Sequence, residues 1–252
     1  MSGESGLTFP GDRPLVVAHR GAPVEQAENT IASFEAAIDA GADAIEFDVR
    51  LTRDAVPVVM HDPDVSRTTG GAGLVSTMTL EEIRGLGVPT LEEALACLAG
   101  HAAVDIELKN EPDEPGYVED GAPALGATLQ TLDRVAFPGP VLLSSFDTAT
   151  LRRGRELRPD IPTGLLTSAE TDAVSALGAA VAHGHPWVLP FVAQVLDAGR
   201  SFVDTVHEAG MRVGIWIADD PGLARTLFSM GVDAVATNDP RAIVAIRDAV
   251  AT

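Results

Sequence analysis

Carboxylate side chains alternate with apolar ones in two short runs of the sequence, IEFDV and VDIEL. In the first run, Glu46 and Asp48 are two positions apart, so both point to the same face of a β-strand. Glu107 holds the matching position in the second run, and Lys109 follows two residues later. Buried carboxylates repel one another unless a cation compensates them, and Ca²⁺ and Mg²⁺ favour such oxygen ligands. The pattern indicates either a divalent metal site or salt-bridged charges inside the fold.

Two histidines stand at the ends of apolar runs beside charged residues. His19 ends LVVAH and precedes Arg20, whereas His61 ends PVVMH and precedes Asp62. Imidazole is the side chain whose unperturbed pKa suits proton transfer near neutral pH. Both are therefore candidate catalytic residues, because they would meet carboxylates and cations at one edge of the fold. The remaining histidines are interpreted as structural: His101, His183, His185 and His207.

Arg20 and Lys109 are the candidate ligands for an anion. A guanidinium group and an ammonium group both bind phosphoryl oxygens well. The chain carries 17 Lys plus Arg, and Lys109 is its only lysine. We interpret this exception as a need for a compact charge at that position, although random drift in an arginine-rich chain would also leave a single lysine.

The net charge of the chain limits the classes of molecule that it can bind. The 252 residues include 37 Asp plus Glu, and the formal net charge is −20 at pH 7. A field of that sign repels nucleic acid, so no nucleic-acid partner is expected. A small anionic substrate is compatible with this net charge, since a bound metal ion makes the local charge of a site positive.

Cys97 is the single cysteine, which excludes an internal disulfide. No apolar run reaches the roughly 18 residues of a transmembrane helix. We expect a cytoplasmic protein, and a homo-oligomer stays open.

Short β-rich runs alternate with segments of helical period along the chain. The segment around 30–40 is typical of a helix, with Ile31, Phe34 and Ile38 on one face. Strands are predicted at 15–19, 43–49, 102–108, 140–145, 161–167, 187–192, 212–217 and 233–237. Eight strands, each followed by a helix, in about 250 residues predict an α/β fold, a single (β/α)₈ TIM barrel. An open doubly wound sheet is the alternative, but the G-x-G-x-x-G typical after its first strand does not occur.

Two irregular stretches interrupt the alternation. Residues 52–89 form a short insertion after the second strand, with a hairpin arm (TRDAVPVVMHD) and a loop carrying a short helix. Residues 109–123 follow the third strand. Both stretches lie on the face where barrel enzymes build their active sites. Residues 1–14 read as a loose leader, and residues 1–252 as one domain.

The motifs taken together resemble the glycerophosphodiester phosphodiesterase family. The resemblance runs along nearly the whole chain, and its most specific part is the series HRG, ENT, E-x-D and HD, in that order and spacing. TLEEAL, VDIELK, SSFD, GIWIADD and GVDAVATNDP extend it. The resemblance implies a (β/α)₈ barrel and a required divalent metal, commonly Ca²⁺ or Mg²⁺.

The resemblance also implies a reaction and a role for each candidate residue. The reaction is hydrolysis of a glycerophosphodiester to glycerol 3-phosphate and an alcohol, with the neighbouring glycerol hydroxyl as the suggested nucleophile and a cyclic phosphate as the intermediate. Which histidine is the acid and which the base stays open. The implied roles are metal binding by Glu46, Asp48 and Glu107, acid–base catalysis by His19 and His61, phosphate binding by Arg20 and Lys109, and an aromatic wall against the glycerol carbons at Trp216.

The chain departs from the family pattern at a few positions. Ala27 replaces the usual proline before ENT, Asp219 replaces the asparagine usual after the tryptophan, and TNDP stands where TD-x-P is usual. None of these changes falls on a predicted metal or proton-transfer residue. The insertion 52–89 is also shortened, which leaves the glycerol side more open.

Three further acidic or amide residues lie in or beside the motifs: Glu28, Asn29 and Asp105. Asn29 and Thr30 both fit a helix N-cap, and we favour capping for Asn29. Glu28 stays open as a residue that touches the site directly or through a neighbour. Asp105, one step deeper on the third strand, is interpreted as an ordinary charge of the barrel interior.

Three other functions on the same barrel are alternatives to glycerophosphodiester hydrolysis. A lysophospholipase D-type hydrolase is the nearest alternative, and it requires an apolar mouth. A lyase or aldolase would use Lys109 as a Schiff-base nucleophile. The neighbouring carboxylates argue against this, because they hold the amine protonated. A non-catalytic binding module would lack one of the histidines or metal ligands, and all of them are present.

Overall fold

The fold is that of a computed structural model, and residues 13–250 are described. Of the predicted leader, only Arg13 and Pro14 fall within this range. The strands are β1 Leu15–His19, β2 Ala44–Leu51, β3 Pro57–Val59, β4 Ala103–Leu108, β5 Val141–Ser145, β6 Thr163–Thr167, β7 Trp187–Pro190, β8 Arg212–Ile215 and β9 Ala234–Thr237.

All strands except β3 are parallel and form a closed ring. Each strand pairs with the next around the barrel, and β1 closes the ring by pairing with both β2 and β9. Strand β3 lies outside the ring and runs antiparallel to β2. The predicted (β/α)₈ TIM barrel with an insertion after its second strand is therefore confirmed, and β3 is the returning strand of the predicted hairpin arm.

Helices connect the strands and cover the outside of the barrel. Their bounds are α1 Ile31–Asp39, α2 Ser66–Thr69, α3 Leu80–Arg84, α4 Leu91–Leu98, α5 Ala122–Val135, α6 Thr148–Leu157, α7 Ala173–His183, α8 Val192–Ala198, α9 Arg200–Glu208, α10 Pro221–Met230 and α11 Pro240–Val250. One difference from the predicted alternation follows β7, where Gly199, with a φ of 69°, separates two short helices. No helix within residues 13–250 is long and apolar enough to cross a membrane.

Polar caps fix the start of several helices. Thr90 caps α4, and the side chain of Glu93 bonds back to the Thr90 backbone, forming a capping box. Asp147 caps α6 by accepting from the backbone N–H groups of Ala149 and Thr150. Threonine and aspartate are both preferred N-cap residues. The two caps fix the points at which the chain leaves the barrel mouth and turns back along the outside.

Strand alternation separates an apolar outer layer from the interior. On β2, Ile45, Phe47 and Val49 point outward and are fully buried against the surrounding helices. The intervening positions, Glu46 and Asp48, point inward. Lower in the barrel, the interior is filled by a small apolar cluster: Leu15, Val17, Ala44, Ala103, Leu142, Trp187, Leu189 and Ala234. The charged residues thus lie above an apolar floor, at the carboxyl ends of the strands.

Candidate active site

A cavity of about 430 Å³ occupies the barrel interior and opens at the carboxyl ends of the strands. Seven of the eight predicted site residues line it: His19, Arg20, Glu46, His61, Glu107, Lys109 and Trp216. The eighth, Asp48, is fully buried beside them. The structure therefore brings together all the residues that the sequence singled out, although they lie up to 197 positions apart in the chain.

The three carboxylates form one cluster. Asp48 on β2 and Glu107 on β4 are register partners, and Glu46 is one step below Asp48 on the same face. Each residue offers one oxygen, and these three atoms lie within 4.8 Å of one another. Within residues 13–250, Oε1 of Glu46 and Oδ1 of Asp48 are buried with no hydrogen-bond partner. Buried oxygens without a donor are the arrangement that a hard divalent cation satisfies, so these residues fit a metal ion.

Burial and mutual repulsion shift the ionisation of this cluster. Burial, together with the charges of Asp48 and Glu107, raises the pKa of Glu46 well above its usual value. Burial also raises the pKa of Glu107 to about 7, although the charge of Lys109 opposes the shift. Asp48 behaves differently: burial is the largest single effect and acts against its ionised form, but the neighbouring positive charges, that of Arg20 first, together with the hydrogen bond from Asn29 lower its pKa. The cluster therefore carries unfavourable negative charge that a cation would relieve.

His19 lies at the mouth, at the end of β1. Its Nδ1 atom is 2.9 Å from Oδ1 of Asn238, and its Nε2 atom is 4.0 Å from Oε2 of Glu46. Burial, reinforced by the charge of Arg20, lowers the pKa of His19 to about 4. The imidazole is therefore neutral near pH 7 and has its Nε2 atom on the side of the carboxylates.

His61 follows β3 and faces the cavity from the side of the insertion. Its Nδ1 atom is 2.6 Å from Oδ1 of Asp62, and its Nε2 atom is 3.5 Å from Nζ of Lys109. A carboxylate at Nδ1 fixes the orientation of the imidazole ring. The two histidines thus have different partners: an amide carbonyl for His19 and a carboxylate for His61.

Arg20 is fixed by both its backbone and its side chain. It adopts a left-handed conformation with a φ of 56°, and its backbone N–H donates to Oε2 of Glu46 at 3.0 Å. Its guanidinium forms ion pairs with Glu28 at 2.9 Å and Asp48 at 3.3 Å. The next residue, Gly21, cannot carry a side chain, because a Cβ atom there would lie 2.3 Å from Oγ of Ser33. This close contact packs the turn against α1.

Lys109 is the second cation of the site, and only 3% of its side chain is exposed. Its Nζ atom lies 2.8 Å from Glu107 and 3.0 Å from Glu111. Although burial opposes its charged form, the charges of Glu107 and Asp48 raise the pKa of Lys109. The ammonium is therefore protonated, so a Schiff-base role, which requires the free amine, does not fit this geometry.

Trp216 contributes an aromatic wall. Its ring contacts Phe146 and Phe191 edge-on, with ring centroids 5.5 Å and 5.2 Å away. Its indole Nε1–H donates to the backbone carbonyl of Leu189 at 2.9 Å, which fixes the ring orientation. All three rings and Leu166 line the cavity. One side of the site is therefore apolar, and the opposite side carries the charges.

The interpretation of Asn29 as a helix cap is wrong. Thr30 caps α1 by accepting from the backbone N–H of Ser33, whereas Nδ2 of Asn29 donates to Oδ2 of Asp48 at 2.8 Å. Asn29 has a φ of 57°, a conformation that asparagine tolerates better than most residues. That backbone conformation turns its side chain inward, toward the carboxylates, and leaves the cap to the next residue.

Sequence reasoning also missed several residues that contact the site. Asn238, one of the departures from the family pattern, is the hydrogen-bond partner of His19. Arg67 lies in the insertion and bonds both Glu28 and Asp62. Asp105, interpreted as an ordinary interior charge, lines the cavity, and burial raises its pKa to about 7. Asn238, which directly follows the last strand, and Asp105, which shares a strand face with Glu107, carried a sequence signal, whereas Arg67 carried none.

Comparison with known proteins now adds to this geometry. The family model described as the glycerophosphoryl diester phosphodiesterase family matches residues 19–242. The chain belongs to the glycerophosphodiester phosphodiesterase family. The resemblance first read from the motifs is thereby confirmed, and the match spans both His19 and the last strand of the barrel.

Relatives in this phosphodiesterase family share the length and the fold. A glycerophosphodiester phosphodiesterase of Bacillus subtilis is 32% identical, over 91% of this chain and 85% of its own. One from Caldanaerobacter subterraneus is 30% identical, over 92% of this chain and 97% of its own. Among solved structures, a phosphodiesterase of Oleispira antarctica in complex with the product sn-glycerol-3-phosphate is 28% identical, with a TM-score of 0.82, covering 94% of this chain and 97% of its own.

Proposed function

We propose that the protein hydrolyses glycerophosphodiesters to glycerol 3-phosphate and an alcohol, in a metal-dependent reaction with two catalytic histidines. The observation that carries this proposal is the cavity in which a carboxylate cluster, two imidazoles and two cationic side chains face one another. The relative from Oleispira antarctica, whose structure holds sn-glycerol-3-phosphate, supports the substrate class.

Glu46, Asp48 and Glu107 would hold the metal, and their hard oxygen atoms favour Ca²⁺ or Mg²⁺. A divalent ion bound there would supply positive charge against phosphoryl oxygens that become more negative as the nucleophile adds. Asn29 supports the cluster by its hydrogen bond to Asp48. The unsatisfied buried oxygens of Glu46 and Asp48 are the feature that favours metal dependence.

Arg20 and Lys109 would bind the nonbridging phosphoryl oxygens. Both are held at the cavity wall by ion pairs with the carboxylate cluster, at 3.3 Å for Arg20 with Asp48 and 2.8 Å for Lys109 with Glu107. Fixed donors of this kind stabilise the developing charge of the transition state more than the charge of the bound substrate.

We assign different roles to the two histidines. His19 is held neutral by burial and would accept the proton of the attacking hydroxyl. His61 has its Nδ1 atom beside Asp62 and its Nε2 atom beside Lys109, and as the second imidazole of the site it would donate a proton to the departing alcohol oxygen. Each transfer contributes on the order of 10² to 10⁴ in rate.

Activity on glycerophosphocholine tests the proposal. We expect turnover to stop after exhaustive chelation and to return with Ca²⁺ or Mg²⁺. His19→Ala and His61→Ala should each lose about 10²-fold or more in kcat, while His101→Ala, at an exposed histidine outside the site, should match the wild type. Full activity of the metal-free protein would contradict the ligand set. Wild-type rates in either site variant would contradict the acid–base pair.

A lysophospholipase D-type activity is a second candidate, favoured by the apolar wall of Phe146, Phe191, Leu166 and Trp216. An apolar wall of this kind suits an acyl chain attached to the glycerol. A direct comparison of glycerophosphocholine with lysophosphatidylcholine, at equal concentrations below micelle formation, separates the two. A higher kcat/KM for the lipid would favour the second candidate.

Three further proposals concern the protein as a whole. We propose that residues 1–252 form one domain, that the protein is cytoplasmic and that it forms a homo-oligomer. The closed barrel over residues 15–250 supports the first, and the single half-buried Cys97 suits a reducing compartment. Sedimentation of the purified protein would measure the oligomeric state directly.

A further inference from the structure

The environment of His19 contains a short chain of polar groups that reaches away from the cavity. Oδ1 of Asn238 lies 2.9 Å from Nδ1 of His19, and Nδ2 of Asn238 lies 2.8 Å from Oδ2 of Asp219. The other oxygen of Asp219 accepts from the backbone N–H of Asn238 at 2.7 Å and from the hydroxyl of Thr237 at 3.0 Å. Asp219 is therefore fixed by three hydrogen bonds, all to the segment that directly ends β9.

The chemistry of these groups determines the direction of every hydrogen bond in the chain. An ionised carboxylate only accepts, so Asp219 requires the NH₂ end of the Asn238 amide to face it. The carbonyl end of Asn238 must then face His19. Because a carbonyl oxygen also only accepts, Nδ1 of His19 must carry a proton. In a neutral imidazole the lone pair is then on Nε2, the atom on the side of Glu46.

We propose that Asp219 and Asn238 are positioning residues that hold His19 in the tautomer protonated at Nδ1, with Nε2 ready to accept a proton. The proposal rests on the proposed function, in which His19 is the proton acceptor. Asp219 exerts its effect two hydrogen bonds away: it orients an amide, and the amide orients the imidazole. The pair acts through His19 and not on the substrate.

Asp219→Asn tests the orientation. The new NH₂ group would face the NH₂ group of Asn238, and the mismatch is relieved when the Asn238 amide turns over. Its NH₂ end then donates to Nδ1 of His19, which moves the imidazole proton to Nε2. We expect kcat to fall by about 10² to 10⁴, the contribution of a general base, with KM unchanged.

An exchange of the two residues provides the rescue. Asn238→Asp alone places two carboxylates against each other and should also lose activity. The double variant Asp219→Asn/Asn238→Asp again has one amide and one carboxylate, now in reverse order. The amide at position 219 can donate to the carboxylate at position 238, which accepts the Nδ1–H of His19. We expect the double variant to recover most of the lost kcat, a strongly non-additive cycle. Two independent structural losses would instead add, and additive losses would overturn the proposal.

Nitrogen NMR of the histidine rings measures which ring nitrogen carries the proton, and it does not depend on an activity assay. In the ¹⁵N-histidine-labelled protein, the signal of His19 is assigned by its loss in His19→Gln. We expect a protonated Nδ1 and an unprotonated Nε2 in the wild type, the reverse in Asp219→Asn, and the wild-type pattern in the double variant. A wild-type His19 protonated at Nε2 would overturn the proposal, even if the protein were active.

The neighbouring acid provides the matched control. Asp220 caps α10 by accepting from the backbone N–H of Leu223 at 2.8 Å, and it has no place in the chain to His19. Asp220→Asn keeps a good cap, so its kcat and its His19 signals should match the wild type. If neither glycerophosphocholine nor lysophosphatidylcholine is turned over, the proposed function fails while the NMR result still decides the tautomer.

Discussion

Arg67 on α2 places its Nη2 atom 2.7 Å from Oε1 of Glu28, although the two residues are 39 positions apart. Its Nε atom also donates to Asp62 at 2.5 Å. Glu28 in turn accepts from Arg20 at 2.9 Å, and Asp62 is the partner of His61. One exposed arginine of the insertion thus connects the residues that hold the candidate phosphate ligand and the candidate proton donor.

Arg67→Met should reduce kcat by about 10²-fold, because it releases both Glu28 and Asp62, and small displacements of catalytic groups have effects of that size. The hydrogen bond from Arg67 also holds the pKa of Asp62 well below its usual range, so its loss weakens the support of His61. Steady-state kinetics on glycerophosphocholine measure the effect. Arg84 lies in the same insertion, and Arg84→Met removes its exposed ion pair with Glu93 of α4, so this variant should leave kcat unchanged. Equal losses in both variants would point to general damage of the insertion.

The barrel and most of the candidate site follow from local rules that the sequence displays. Alternation along β2 predicts that Glu46 and Asp48 face inward, and β4 repeats the pattern with Glu107. Because parallel strands of a barrel end at one face, the residues that follow those ends must meet there. His19 and Lys109 could be assigned to the mouth on this reasoning alone.

The residues that sequence reasoning missed act through single contacts between distant segments. Asn29 reaches Asp48 only because its backbone is left-handed, which no periodicity predicts. The position of Arg67 depends on how the insertion folds over the mouth, and its short helix α2 has no buried residue to mark its orientation. The periodicity of apolar and polar residues predicts which face of a strand or helix a side chain lies on. Contacts between loops that are distant in the chain form only when the whole barrel has folded, so periodicity does not predict them.

Thr30 and Asn29 are adjacent but should respond differently to substitution. Thr30→Ala removes the N-cap of α1 and should cost about 1 kcal/mol of unfolding free energy without changing kcat. Asn29→Gly keeps the left-handed backbone and removes the donor to Asp48, which should weaken metal affinity by about 10- to 100-fold. Chemical denaturation and calcium titration separate the two effects. Unchanged metal affinity in Asn29→Gly would contradict a role of Asn29 in supporting the carboxylate cluster.

Lys109→Arg should not preserve activity. The ammonium is enclosed by Glu107, Glu111 and His61, and only 3% of the side chain is exposed. A planar guanidinium is larger and needs a fork of acceptors, so it would displace the carboxylate that we assign to the metal. We expect a loss of about 10²-fold or more in kcat. Activity close to that of the wild type would show that position 109 requires only positive charge, and that its single lysine reflects drift in composition.

The pH dependence of stability should reveal a histidine outside the site. His185 is buried, and its Nδ1 atom lies 2.9 Å from the hydroxyl of Thr163. Burial, with a smaller contribution from the charge of Arg155, lowers the pKa of His185 to about 4. In the unfolded chain a histidine has a pKa of about 6.5. Between these two values the unfolded state binds more protons, so protonation favours unfolding as the pH falls.

The stability that His185 contributes is therefore fully present above about pH 6.5 and is lost as the pH falls toward 4. His185→Asn keeps a polar atom near the Thr163 hydroxyl but cannot titrate. Urea denaturation of both proteins from pH 4 to 7.5 should show a steeper loss of stability in the wild type, by at most about 1.4 kcal/mol per pH unit for one proton. His101→Asn, at an exposed histidine, should keep the wild-type slope. Because the carboxylate cluster is identical in all three proteins, its own titration cancels in the comparison. Parallel curves for wild type and His185→Asn would mean that His185 is protonated to the same extent in the folded and unfolded states.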